Sequence, residues 1–189
     1  LIFHLWDIFI ANNFQPNWNL GFDTLTVFPD PDPETTSVDG TSDKDDSTVW
    51  ATVHDAADGV TAQDTSAAAF GVKVQIVGGT YKIGRGFFLF DCSAGIPDTD
   101  VISAGTLSIS SSNGSDEDND GLDYINIYTT TPASDTAITT ADYDQIGSVS
   151  QATALDLTDL GGGNSYRAWT LNATGRGNIS KTAVSKFGI

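Results

Sequence analysis

The sequence predicts an all-β protein: an antiparallel β-sandwich, jelly-roll-like, with an N-terminal apolar arm or short helix. Three observations predict it. Short runs of alternating apolar and polar residues recur between turn-rich stretches, with no long helical period. Hydrophobic content is 39% while Gly, Ser, Thr and Asp are abundant, a mix that suits strands and turns better than a helical bundle. The acids are almost all Asp, only Glu34 and Glu117 being Glu, and Asp favours turns where Glu favours helices. With 189 residues, the chain is read as an arm over 1–22 and one sandwich domain over 23–189, long enough to bury its own core.

The elements follow in order. Leu1, Ile2, Leu5, Trp6, Ile8 and Phe9 form an apolar stretch too short to span a membrane; it packs on its own domain or docks on another subunit. Leu25 and Val27 alternate with Thr24 and Thr26 as a strand, and a Pro/Asp-rich loop runs on to Ser47. "STVWATVHDAADGV" reads as the next strand, with Val49, Ala51 and Val53 on one face. Val72, Val74 and Ile76 alternate with Lys73 and Gln75 before a Gly78-Gly79 turn, and the dense run Phe87–Phe90 reads as a central strand. Leu107 and Ile109 point inward from another strand, and "LDYINIYTT" offers either face. A loop with a short helix follows, then "ALDLTDL" and "SYRAWTLNATGRGNIS", which supply two more strands and a short turn or helix. "VSKFGI" reads as the beginning of one more strand whose pairing continues past the sequence given.

Charge and cysteine usage exclude several classes. The net charge of -17 repels phosphate backbones and anionic membranes, so no nucleic-acid partner is expected, and no apolar run is long enough for a membrane span. It suits a soluble surface or divalent cations. Cys92 is the single cysteine, which rules out an intrachain disulfide and a multi-cysteine zinc site. His4 and His54 form no motif with it, so it reads as a small residue at a strand end.

The motifs are sparse. "DEDNDG" spaces Asp116, Asp118 and Asp120 as a calcium loop does, with Gly121 for the turn. The bidentate acid of the helical calcium hand is missing, since the twelfth position is Ile127. Ca2+ is the one cofactor the sequence offers, against a plain acidic turn. Trp50, Tyr81, Tyr124, Tyr128 and Trp169 lie on expected strands, where exposed rings would stack on sugars and buried ones would build core. Asn113, Asn172 and Asn178 fit the N-glycosylation pattern. Phosphate-loop, dinucleotide and serine-hydrolase signatures are absent, so no catalytic residue is singled out.

The stretch 84–110, "GRGFFLFDCSAGIPDTDVISAGTLSIS", carries a resemblance. Arg85, Phe90, Asp91, Ile96 and Pro97, then Ala104, Leu107 and Ile109, resemble the pattern of DNRLRE-type extracellular repeats and related carbohydrate-binding jelly rolls. Two residues stand between Ala104 and Leu107 where that pattern has one. The later segments look like uncharacterised β-sandwich proteins of phage and environmental origin. The resemblance implies a noncatalytic structural or assembly protein of an extracellular or virion setting, a homo-oligomer or partner of other particle proteins. The alternatives are a carbohydrate-binding module with a polysaccharide ligand and, third, a carboxylate-dependent glycoside hydrolase.

Overall fold

The computed structural model describes residues 3–13, 22–65, 71–93, 95–111, 114–116, 123–160 and 163–189, with side-chain surroundings from residue 24 onward. Thirteen strands appear there: β1 (Phe3–Asn13), β2 (Phe22–Val27), β3 (Asp39–Ser47), β4 (Thr61–Gln63), β5 (Lys73–Val77), β6 (Thr80–Asp91), β7 (Val101–Ser111), β8 (Tyr124–Ile125), β9 (Tyr128–Thr130), β10 (Ile146–Ser150), β11 (Leu155–Asp156), β12 (Ser165–Thr170) and β13 (Val184–Gly188). Two short helices, α1 (Trp50–His54) and α2 (Ala173–Gly177), lie between them.

Eleven of the strands form two antiparallel sheets, as expected, and β8 and β11 pair as a third, two-stranded sheet. Of the first two, the smaller runs β12-β7-β1-β2 and the larger β10-β9-β13-β6-β3-β4, with β5 also on β6. Phe88 and Phe90 of β6 and Phe187 of β13 meet Leu107 and Ile109 of β7 and Trp169 of β12 in one buried cluster. That cluster joins the two sheets into a sandwich.

β6 is buried on both faces. Phe88 and Phe90 point into the sandwich, while Phe87 and Leu89 point outward against Val38 and Ile138. A strand whose alternate side chains are all apolar requires cover on each side, and the segment 131–146 supplies the outer cover. Asp142 staples that segment: it is 1% exposed and accepts hydrogen bonds from Ala133 N–H, Thr139 N–H and the Thr139 hydroxyl.

Three expectations are corrected. The helix offered for the first stretch is corrected: Phe3–Asn13 is an extended strand paired with both β2 and β7. The second concerns "STVWATVHDAADGV", which contains α1 rather than a strand. Its residues satisfy the helical spacing too, for Trp50 and His54 stand four apart and stack at 5.2 Å while Val53 is buried. The strand lies earlier, in the acidic "DGTSDKDDS" assigned to a loop. That stretch is held by β6 on one edge and β4 on the other, and Lys73 and Lys82 pair with its Asp43 and Asp45. The third is "VSKFGI", whose Val184–Gly188 is paired on both sides, between β6 and β9.

Phe90→Ala, at a fully buried position, is expected to cost about 3–5 kcal/mol in urea unfolding. Phe28→Ala, at a side chain 53% exposed, is expected to stay within about 0.5 kcal/mol. Equal losses at the two sites would contradict the assignment of β6 as the core strand.

Candidate functional site

The candidate site is the outer face formed by α1 and the β5–β6 hairpin. Its foundation is Arg85. The guanidinium lies 4.1 Å from the centre of the Tyr143 ring, donates to the Tyr143 carbonyl at 2.7 Å and donates to the His54 carbonyl at 2.8 Å. The Tyr143 hydroxyl donates to the Val53 carbonyl at 2.8 Å. Cation and hydroxyl together satisfy the last carbonyls of α1, which a short helix otherwise leaves open. Burial raises the Tyr143 hydroxyl above its ordinary pKa, against a lowering by Arg85.

The clamp presents Trp50. Its ring, 41% exposed, stacks on His54 and meets the Tyr81 edge with centroids 5.5 Å apart. Tyr81 pairs across the hairpin with Ile76, and Ile83 with Val74, so all four share this face. Ile83 is buried beneath α1 with Val53 and Tyr143. Val74 is 69% exposed and Ile76 61%. An apolar surface thus runs from Trp50 over Tyr81 to Ile76 and Val74.

The charges of the hairpin and of β3 beside it are paired. Lys73 bonds Asp43 at 2.8 Å, Lys82 bonds Asp45 at 3.1 Å and Lys44 bonds Asp46 at 3.0 Å. Lys44, opposite Ile83, and Arg85 share the apolar face, whereas Lys73 and Lys82 alternate with Val74, Ile76, Tyr81 and Ile83 and project from the other side of the hairpin.

The sequence-derived candidates divide. Trp50 and Tyr81 come together. Tyr124 is exposed on β8 and Tyr128 half-buried on β9. Trp169 is corrected: it is 1% exposed in the sandwich core, where its ring cannot meet a ligand. Asp118 and Asp120 lie outside the described residues, and Asp116 is half-buried. Among the described residues no three carboxylate, histidine or cysteine groups converge as a metal site would require. Leu1 and Ile2 lie outside the described residues, while Leu5, Trp6, Ile8 and Phe9 are positions along β1. Cys92 is buried, and burial raises its thiol pKa.

Two glycosylation matches are structural amides. Asn172 caps α2 by accepting the Gly175 N–H and donates to the Ser150 carbonyl. Asn178 donates to the Lys186 carbonyl at 2.8 Å. Asn113 lies outside the described residues.

One carboxyl is perturbed upward. Burial, with the charges of Glu34 and Asp64 adding to it, pushes Asp39 up to about 8. Burial also raises Glu34. Asp39 is 7% exposed, so its proton is held inside the fold, out of reach of a glycosidic oxygen. Asp30 behaves oppositely: burial acts to raise it, but four hydrogen bonds from Thr35 and Thr36 prevail and hold it at about 2. A separate surface cavity of about 160 Å3 is lined by Thr129–Thr131 and Asp144–Gly147, small beside the roughly 300–1,000 Å3 of a ligand pocket.

Sequence reasoning missed Val74 and Ile76 as surface residues, because an alternating strand reads the same whether its apolar face is covered or bare. The fold and this face define an antiparallel β-sandwich with an uncovered apolar surface on one hairpin. No protein-family model, curated protein or solved structure matches the chain. Among the described residues, no helix is long and apolar enough to cross a membrane.

The buried Asp39 sets a pH dependence. An unfolded Asp titrates near 3.8, so between about pH 4 and pH 8 the folded chain holds a proton that the unfolded chain has lost. The stability contributed by Asp39 therefore falls as pH rises through that window. Asp39→Asn is expected to gain on the wild type by up to about 1.4 kcal/mol per pH unit there, read from urea unfolding across a pH series. A pH-independent offset would contradict the buried proton.

Proposed function

We propose that this chain is a noncatalytic structural β-sandwich that works by assembly, in an extracellular or virion setting. The carrying observation is the bare apolar face on α1 and β5, where Trp50, Val74 and Ile76 stand exposed beside Tyr81. Contiguous exposed apolar surface of this kind favours contact with another protein, and aliphatic side chains offer a sugar no ring to stack on. The partners on this reading are other copies of the chain or other proteins of the same particle. Light scattering over a rising concentration series is expected to show oligomers, and the double variant Trp50→Ala/Ile76→Ala to weaken association at least about tenfold (~1.4 kcal/mol) with an unshifted melting temperature. A wild type that meets neither itself nor a co-purified particle protein would sink the reading.

A second reading, a carbohydrate-binding module, is favoured by the Trp50–His54–Tyr81 cluster, with the Lys44–Asp46 pair on the same side for sugar hydroxyls. Retardation in polysaccharide gels that Trp50→Ala removes would support it. Unretarded migration in neutral and acidic polysaccharides alike would dismiss it.

A further inference from the structure

We propose that β5 pairs with the β5 of a second copy of this chain, antiparallel and edge to edge, about a two-fold axis at Gln75. The inference rests on the assembly reading and names its partner. Among the described residues β5 pairs with β6 alone, so among them one edge of Lys73–Val77 meets no other strand, and Val74–Val77 are exposed.

The turn determines which backbone groups remain free. Gly78 and Gly79 have φ of 60° and 83°, the left-handed pair that a tight two-residue hairpin turn demands. In such a hairpin the flanking residues, Val77 and Thr80, are hydrogen-bonded to each other, and bonding alternates from there. With the observed register Val77↔Thr80, Ile76↔Tyr81, Gln75↔Lys82, Val74↔Ile83 and Lys73↔Gly84, residues 73, 75 and 77 direct their N–H and C=O to β6. Val74 and Ile76 direct theirs to the open edge.

This pattern is self-complementary. A second β5 running antiparallel about Gln75 sets Val74 opposite Ile76 of the other copy, and Ile76 opposite its Val74. Both are hydrogen-bonded pairs, so each copy's free groups are met by the other's. Their exposed side chains meet on one face as apolar cross-strand pairs. Gln75 meets its own counterpart in the non-hydrogen-bonded position, with Cα atoms about 4.5 Å apart.

Edge strands are ordinarily guarded against such pairing by proline, a bulge or an unpaired charge. β5 has no proline, its register with β6 is unbroken and its one charge, Lys73, is paired with Asp43. Electrostatics also select this edge and a like copy. Two chains of net charge -17 repel over most approaches, yet here the nearby acids Asp43 and Asp45 are already matched by lysines. The two copies of Lys73 would lie at opposite ends of the paired strands, about 13 Å apart at ~3.3 Å per residue, beyond a screening length of about 8 Å. A five-residue strand is a small contact, so pairing is concentration-dependent and gains from the neighbouring Trp50 surface.

Gln75→Cys tests it. Gln75 is exposed and Cys92 is buried, so one accessible thiol is introduced, at a Cα separation within disulfide range. Mild oxidation is expected to give a covalent dimer that increases with protein concentration and falls at least about tenfold when Ile76→Lys or Val74→Lys is added. An oligomeric wild type whose Gln75→Cys form does not cross-link overturns the β5 pairing and leaves the assembly reading standing. Cross-linking that both lysine variants leave intact overturns it as well. A wild type monomeric at every concentration, with no other protein partner, overturns both.

Discussion

Everything described here depends on β6 being buried from both faces. Phe88 and Phe90 close the sandwich core, and Phe87 and Leu89 require a second layer outside the larger sheet. That second requirement shapes the molecule most. It draws the segment 131–146 over the sheet, where Asp142 pins it, and carries Tyr143 to Arg85. The Arg85–Tyr143 pair then fixes α1 by its terminal carbonyls. The surface position of Trp50 is therefore a consequence of core burial several residues away.

β6 is also longer than any one neighbour on its second edge. Its first part, Thr80–Gly84, pairs with β5, and its last part, Phe87–Asp91, pairs with β13. Gly84-Arg85-Gly86 lies at the junction. A Cβ at Gly84 would fall 2.0 Å from the Gly71 carbonyl oxygen, and one at Gly86 would crowd Ile189 and Val72. The two glycines let backbone and side chains close in where the neighbours change, and Arg85 between them reaches outward to the clamp. The division leaves β5 as a short strand whose apolar residues outnumber the neighbours available to cover them.

Much of the fold is legible in the sequence. The Phe87–Phe90 run, the Gly78-Gly79 turn, and Leu107 and Ile109 as inward residues all declare themselves through local pattern and composition. β3 does not, because its acidic residues become tolerable only when Lys73 and Lys82 arrive from distant positions. α1 does not, because four or five residues cannot separate a period of 2 from one of 3.6. The candidate face is half legible: Trp50 and Tyr81 are recognisable as aromatics, but Trp169 shows the same chemistry and lies in the core. Exposure is decided by which sheet face is left uncovered, and local pattern carries no record of that. The role of Arg85 becomes physical only when Tyr143 and α1 are placed beside it.

The contact through β5 is the central claim, and amide hydrogen exchange across a concentration series reads it directly. The N–H groups of Lys73, Gln75 and Val77, already bonded to β6, should be protected at every concentration. Those of Val74 and Ile76 should exchange freely in dilute solution and gain protection as the chain associates. If Val74 and Ile76 exchange at the unprotected rate in samples that scattering shows to be assembled, the chain associates by some other surface.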